Sequence, residues 1–494
     1  MSDQQCVEAA TPPQDSLSSV EDGVTNPTPS NVPSTVPPPP APDGGVKAWS
    51  QAAAAHLVIF NCWGYISSFG LFQSYYTATF SVSGSAVSWI GSVQILLIYA
   101  VGTLSGRALD AGRFRPCVTA GCALQVLGVF ATASATRYWH VFLAQGVCKG
   151  LGDGLVFCPA VALVATYFSA RRSLAIGVMA AGGATGGVVF PLVARQLLPA
   201  VGFAWTVRVM GFVVLFNACV FSAVARVRVV KVAVRVESRR ERKEGEEKKN
   251  TKTKTKTKKK EQRQRPRQRR PYVEWAAFAE PAYSLFCAAM FLVLWAVFIA
   301  YFYLDAYARD VVLRRAAAPS ADADDDNNNN NNSSDAATTT LTLLLTLNAV
   351  GLPARLGCGF VADRLGPVNT LLPAVAAAGT LFFCWIAVQR SLGGLYAFAA
   401  VYGFFAGGIQ SLFPAAAASL TADIDKMGVR TGMCFSVVSV ACLTGPPIAG
   451  ALIERADGGY LYAQVFGGVA LMAGAATLVA ARWARYGWDW RKKM

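Results

Sequence analysis

Long apolar segments without charged residues recur along the chain. Residues 48–106 contain no Asp, Glu, Lys or Arg, and 116–136, 283–304 and 459–481 are further charge-free stretches. A helix needs about 20 apolar residues to cross a bilayer, so the first stretch is long enough for two spans. Glycine and proline inside such segments are tolerated in membrane helices, where neighbouring helices satisfy the freed backbone groups. The pattern predicts a bundle of membrane-spanning helices.

Twelve spans can be placed, six on each side of a central polar segment. We therefore predict an all-α membrane protein with twelve transmembrane helices in two six-helix, pseudo-symmetric halves. The predicted windows lie near residues 48–72, 87–106, 116–136, 140–167, 174–198, 203–225, 280–304, 338–361, 367–389, 391–418, 429–452 and 459–482.

The polar segments complete the predicted domain organisation. A tail at 1–42, rich in Pro, Ser and Thr, and a basic linker at 226–272 cannot bury a core, so we expect both to be disordered. The two halves then occupy 43–225 and 273–485, and a short tail follows at 486–494. Within the second half, 316–340 is a low-complexity, Asn-rich insert, which we also expect not to fold.

Composition agrees with a membrane protein, because only 15% of the 494 residues are charged, against about 25% in soluble domains. The net charge of +16 would otherwise favour a nucleic-acid partner. However, 226–270 holds 21 of the 45 Lys and Arg and 6 of the 29 Asp and Glu. The rest of the chain is almost neutral, so we expect contact of the linker with anionic lipid headgroups rather than nucleic acid.

Basic residues in the short loops predict the orientation, since Lys and Arg are retained on the cytoplasmic side. Arg113 follows the second predicted span, Arg171 follows the fourth and Arg485 follows the last. We therefore expect an integral, multi-pass protein with both termini cytoplasmic, in the plasma membrane or alternatively the vacuolar membrane. The insert is then extracytoplasmic, and its sequons make Asn331 and Asn332 candidates for glycosylation.

Neither metal nor nucleotide chemistry has a signature in the sequence. Most of the 12 cysteines lie inside predicted spans without paired metal-ligand spacing, which is typical of packed thiols. There are two histidines, and no glycine-rich phosphate loop precedes a Lys-Ser or Lys-Thr pair. We expect no cofactor, no metal, no enzymatic activity and a monomer.

A charged motif is repeated at the ends of the second and eighth predicted spans, with an offset of 253 residues. A repeated acidic and basic cluster is typical of an internally duplicated transporter, in which such groups make breakable gating contacts. The alternative is two unrelated clusters at helix ends. The first copy is Gly106, Asp110, Gly112 and Arg113, and the second is Gly359, Asp363, Arg364 and Gly366.

The doubled motif and the six-plus-six layout resemble the major facilitator superfamily, and finer features resemble the fungal branch of its monocarboxylate porter family. The resemblance covers 43–225 and 275–485. It implies transport of a small organic acid, commonly with a proton, by alternating access between the halves. The finer features are Asp43-Gly44-Gly45, Gly150-Leu151-Gly152, Arg171-Arg172, Asn348 with Arg355, Arg430-Thr431-Gly432 and Gly445-Pro446-Pro447.

Ionisable and polar residues inside spans are the natural site candidates. The resemblance implies that Arg355 binds the substrate anion, and a guanidinium fits a carboxylate with two hydrogen bonds. The alternative is a structural arginine paired to carbonyls. Other polar candidates for the substrate site are Asn348, Asn61 and Gln410.

Animal members of the family have an acid one turn before this arginine and a lysine in the first span, and both groups handle protons. Here Gly351 stands at the position of the acid, and Ser67 or Ser68 lies near the position of the lysine. Asp153, with Lys149 one turn before it, could replace the missing acid, although a static ion pair is the alternative. Transport of a larger neutral or weakly acidic solute, such as a vitamin or an exported secondary metabolite, remains open. So does a non-transporting nutrient sensor.

Overall fold

The computed structural model describes residues 41–82, 84–226, 273–313, 326–389, 391–421, 426–489 and 492–494, and in these ranges the regular structure is helical, without strands. The predicted tail at 1–42 and linker at 226–272 lie almost entirely outside the described residues. The expectation that the low-complexity insert does not fold is wrong from Asp326 onwards, where the insert forms the first turns of a long helix. Extending an apolar helix needs no new nucleus, which favours this continuation.

Six spans form the N-terminal half, and they are numbered here in chain order. Span 1 begins as a helix, passes through a π-helical turn and resumes after a bend at Ser68. The bounds are Val46–Ile59, Phe60–Gly64 and Phe69–Phe80 for span 1, Gly84–Ala100 and Gly102–Asp110 for span 2, Phe114–Ala133 for span 3, Tyr138–Val141, Phe142–Lys149 and Gly150–Tyr167 for span 4, and Arg172–Val224 for spans 5 and 6 together.

Six further spans form the C-terminal half, after a short 3-10 helix at Trp275–Ala279. The bounds are Pro281–Tyr307 and Ala308–Leu313 for span 7, Asp326–Leu365 for span 8, Pro367–Ala387 for span 9, Leu392–Ser419 for span 10, Met427–Arg455 for span 11 and Leu461–Tyr486 for span 12.

Backbone geometry separates spans 5 and 6. In Arg172–Val224 the helix breaks at Gly202, whose φ of 75° and ψ of 173° are non-helical. Unbroken, 53 residues would extend about 80 Å at 1.5 Å per residue, more than twice a hydrocarbon core of about 30 Å. In the described ranges, ten helices are by themselves long and apolar enough to cross a membrane. One of the ten is Arg172–Val224, which the break at Gly202 divides into two spans. The interrupted span 1 is not among the ten, so its addition brings the number of crossings to twelve.

Small residues let the spans approach closely. A Cβ added to Gly182 in span 5 would come 2.1 Å from the carbonyl oxygen of His56 in span 1. A Cβ on Gly152 in span 4 would come 2.5 Å from the backbone nitrogen of Gln125 in span 3. Since lipid tails are as apolar as the helices, such close packing supports association of the spans.

The two surfaces of the bundle are distinguished by where the chain enters and leaves it. Span 1 begins and span 12 ends on the same side, which is called the terminal face below. Span 6 ends and span 7 begins on that face as well. The other side, where spans 1 and 7 end and span 8 begins, is called the opposite face.

Candidate functional site: a cavity between the two halves

A cavity of about 760 Å³ lies between the halves and is lined mainly by spans 1, 7 and 8. Its walls are largely apolar, and Trp63 and Phe298, one from each half, stack there with ring centroids 5.5 Å apart. The lining extends to Thr77, Asp305 and Arg309 towards the opposite face, where Arg309 is 47% exposed. The cavity therefore opens on that face, and its volume suits a drug-sized organic ligand.

Arg355 lies at the deep end of this cavity and is only 3% exposed. Its Nη2 donates to Oε1 of Gln410 over 3.0 Å, and Nε2 of Gln410 donates to the Tyr301 hydroxyl over 3.1 Å. The second terminal nitrogen, Nη1, has no hydrogen-bond partner, and Arg355 forms no ion pair with any described residue. This leaves a buried donor and a positive charge available to a ligand.

The other polar candidates divide between the cavity and the helix core. Asn348 and Gln410 line the cavity together with Arg355. Asn61 is buried away from it: its Nδ2 donates to the Val214 carbonyl and its Oδ1 accepts from Asn217. The structure therefore brings three of the four predicted substrate residues together, and their role in binding stays a prediction.

Lys149 and Asp153 form a closed network inside the N-terminal half, where both are fully buried. Lys149 Nζ lies 2.8 and 3.1 Å from the carboxylate oxygens, which also accept from Gln94 and Gln125. The lysine further donates to the Asn61 carbonyl. Neither charged residue belongs to the cavity lining, and both are fully bonded within the N-terminal half; proton coupling through Asp153 stays a prediction.

The second copy of the repeated charged motif connects the halves at the terminal face, and its role in gating stays a prediction. The carboxylate of Asp363, at the end of span 8, accepts from the backbone nitrogens of Ser173 and Leu174 over 2.7 and 3.0 Å. These residues lie in the first turn of span 5, so the acid caps a helix N-terminus in the other half. Gly359 permits the approach, because an added Cβ would come 2.7 Å from the Ser173 carbonyl.

The first copy of the motif, at the end of span 2, contacts span 11 of the other half, also at the terminal face. A Cβ on Gly106 would come 2.2 Å from the carbonyl oxygen of Gly428. Gly112 and Gly366 follow their spans with φ of 75° and 100°, a region that favours glycine. Arg113 is exposed, and the Arg364 guanidinium lies over the Phe360 ring. The side chains of Asp110, Asn331 and Asn332 lie outside the described residues.

Comparison with known proteins identifies the family. The protein-family model described as Major Facilitator Superfamily matches residues 54–313 of the sequence, which is more than half of the chain. The chain belongs to the major facilitator superfamily. The predicted all-helical fold of this superfamily is thereby confirmed, and the protein is a multi-pass membrane transporter rather than an enzyme.

Relatives in fungi cover almost the whole transporter. A protein named MFS-type transporter from Gibberella zeae is 38% identical over 90% of this chain and 88% of its own. A protein of Emericella nidulans, named as an aspyridones efflux protein, is 30% identical over 90% of this chain and 79% of its own. The monocarboxylate porter branch stays a prediction.

Solved structures of transporters share the fold at low sequence identity. The Escherichia coli fucose:proton symporter FucP is 12% identical, with a TM-score of 0.58, and 88% of this chain and 98% of that chain are covered. The human organic anion transporter MFSD10 is 14% identical, with a TM-score of 0.59 and the same coverage.

An ion network at the terminal face of the transporter was not foreseen from sequence. Arg430, near the start of span 11, pairs with Glu274 at 3.2 Å and with Glu280 at 2.7 Å. Lys426 also contacts Glu274, at 2.8 Å. These acids precede span 7, so the network joins two spans of the C-terminal half beside the Gly106–Gly428 contact. Sequence offered only Arg430 as part of a family motif, without its partners.

Glu274 should make this network sensitive to acid. Its partial burial acts to raise the pKa of its carboxyl, but hydrogen bonds from Arg430 and Lys426 outweigh that and hold the pKa below its usual value. A depressed pKa stabilises the fold above the unfolded-state pKa of about 4.3 and loses that contribution as pH falls through the folded-state pKa. We expect Glu274→Gln to lower stability by about 1 kcal/mol at pH 7.

Thermal unfolding in detergent, measured from pH 7 to pH 3, checks this expectation. The wild type and Glu274→Gln should differ at neutral pH, and the difference should shrink as the pH falls below the unfolded-state value of about 4.3. A constant difference across the range would contradict the assignment. Asp489→Asn, at a half-exposed pair with Lys492, serves as the matched control.

Proposed function

We propose that this transporter exports an amphipathic organic anion that is larger than a simple monocarboxylate. The observation that carries the proposal is the deep guanidinium of Arg355, with Nη1 unbonded, beneath an apolar cavity of about 760 Å³. A carboxylate accepts well from a guanidinium, while the aromatic and leucine walls suit an apolar body. A substrate of a few atoms would leave most of this volume to water.

The name of one relative supports the direction of transport, and the loop charges predict the side on which the cavity opens. With the terminal face in the cytoplasm, as the loop arginines predict, the cavity opens outwards. A relative at 30% identity is named as an efflux protein for aspyridones, which favours export of a secondary metabolite over uptake of a nutrient acid. We place the protein in the plasma membrane as a monomer.

The polar residues of the cavity have separate roles in this proposal. Arg355 binds the acid, and Gln410 and Tyr301 hold the guanidinium in place through their hydrogen bonds. Asn348 lies seven residues before Arg355 on span 8, about 10 Å nearer the opposite face. Its Nδ2 donates to the Leu344 carbonyl, so its side-chain oxygen can accept from a substrate hydroxyl or amide.

Transport across a panel of labelled solutes tests the proposal. Inside-out vesicles from a heterologous host are offered small monocarboxylates, larger aromatic acids and their neutral amides. We expect saturable accumulation of the larger acids, and Arg355→Gln should reduce it at least tenfold, since a hydrogen bond to a charged group contributes about 1.5–3 kcal/mol.

Arg208→Gln serves as the matched control, because Arg208 lies outside the cavity and packs over the Trp205 ring. Transport of acids that survives Arg355→Gln intact would refute the site. Equal transport of acids and amides would refute the substrate class.

A further inference from the structure

The guanidinium of Arg355 lies among uncharged groups. Gln410 and Gly407 of span 10, Tyr301 of span 7 and Gly183 of span 5 lie beside it. Tyr301 is the titratable group among these neighbours, and it is neutral at physiological pH. On span 8 itself, Gly351 stands one turn before the arginine, where an added Cβ would come 2.6 Å from Nη1. The acid among the described lining residues, Asp305, pairs with Arg309 towards the opposite face, so no described acid lies beside Arg355.

This arrangement has different consequences for the loaded and the empty carrier. While the cavity is open, water can reach its deep end and solvate the charge. Alternating access requires an intermediate closed to both sides, and an unpaired cation sealed in such a space is strongly disfavoured. An anion bound at Arg355 removes that penalty, so the loaded carrier should reorient much faster than the empty one.

We propose that the transporter is an anion exchanger, in which an anion occupies Arg355 on both the outward and the return step. The inference rests on the proposed function, since it uses the same site. The returning ligand is a small monovalent anion or a second organic acid from outside, and net export without a counter-anion is slow. Electroneutral one-for-one exchange of monovalent anions follows.

Gly351 is the residue that permits this behaviour. The atom nearest to its added Cβ is the far end of the flexible Arg355 side chain, and the next neighbour, the Gly403 carbonyl oxygen, is at 3.5 Å. An acid is therefore accommodated by a small movement of the guanidinium. Gly351→Asp supplies an internal counter-charge, which should allow the empty carrier to return, whereas Gly351→Asn has the same shape without the charge.

Proteoliposomes of the purified full chain test the exchange. Labelled naphthalene-2-carboxylate is added outside vesicles loaded with unlabelled naphthalene-2-carboxylate, chloride or sulfate, with the membrane potential clamped by potassium and valinomycin. Arg355→Gln vesicles give the passive background. We expect initial uptake about tenfold or more faster into vesicles loaded with the unlabelled probe than into sulfate-loaded vesicles, and chloride loading shows whether a small inorganic anion can replace the organic one.

The outcomes separate the inference from the proposed function. Arg355-dependent uptake at one rate for all three internal anions overturns exchange and leaves the organic-anion site intact. Absence of Arg355-dependent uptake under every loading overturns the proposed function and, with it, the exchange.

The Gly351 variants then test whether the missing acid beside Arg355 is the cause of the exchange behaviour. Gly351→Asp should raise uptake into sulfate-loaded vesicles to nearly the exchange rate, and should make it faster at low external pH, because the introduced carboxylate must be neutralised when the substrate anion binds. Gly351→Asn should keep the dependence on internal anions. Identical behaviour of the two variants, with both folded by size-exclusion chromatography, overturns the role of the missing charge.

Discussion

Replacing Asp153 with asparagine should destabilise the N-terminal half by about 3–5 kcal/mol, the range for removing one partner of a buried ion pair. Lys149 would remain fully buried without a negative partner, beside the Asn61 carbonyl, the face of the Tyr65 ring and the new neutral amide. Gln94 and Gln125 would also face an amide instead of two carboxylate oxygens. Thermal unfolding in detergent micelles measures the loss.

The double variant Lys149→Met with Asp153→Asn is the matched control. Removal of the lysine eliminates the uncompensated charge, so stability should recover in part. Transport by any surviving single variant should keep the wild-type dependence on pH, because the pair lies outside the cavity. Normal stability of Asp153→Asn combined with a lost pH dependence would instead establish proton coupling through this acid.

Gly432→Ala should prevent closure of the terminal face. An added Cβ would come 2.3 Å from the carbonyl oxygen of Gly102 and 2.7 Å from the Cα of Thr103, so spans 2 and 11 meet backbone to backbone. Neither backbone can yield without moving a span. Overpacking of this kind costs about 1–3 kcal/mol, and the upper value lowers the closed population about 100-fold.

Alkylation of Cys158 reports this change. The thiol is fully buried at the same junction, with Sγ 3.9 Å from the Gly428 carbonyl oxygen. Peptide mapping after treatment with N-ethylmaleimide should show strong labelling in Gly432→Ala and little in the wild type. Gly357→Ala is the matched control, since nothing lies within 4 Å of its added Cβ. Equal labelling of the two variants would show that the junction tolerates a methyl group.

The spans themselves could be predicted because their signal is local. The predicted window 367–389 corresponds to Pro367–Ala387, and 203–225 begins at the break at Gly202. Apolar length and the absence of charge are sufficient to place a span, since a bilayer imposes the same requirement on each. The repeat of Gly106 and Gly359 likewise predicted equivalent positions, and both glycines lie at contacts between the halves.

The residues of the cavity depended on packing that sequence does not encode locally. Asn61 and Gln410 are both polar residues inside spans, yet Asn61 bonds within the helix core and Gln410 lines the cavity. Tyr301 gave no signal, because an aromatic residue in a membrane span is usually part of the packing or an interfacial anchor. Its contact with Gln410 follows from the crossing of spans 7 and 10.

Sequence by itself determined that this chain is a duplicated bundle of membrane helices, because hydrophobicity and length act residue by residue along each span. Only the tertiary structure decided which charge is neutralised. Asp153 forms an ion pair with Lys149 within one half. Arg355 lies beside Gly351, Gln410 and Tyr301 and has no ion-pair partner among the described residues. Electrostatic compensation depends on distances between spans, and those are set by the packing of the whole bundle.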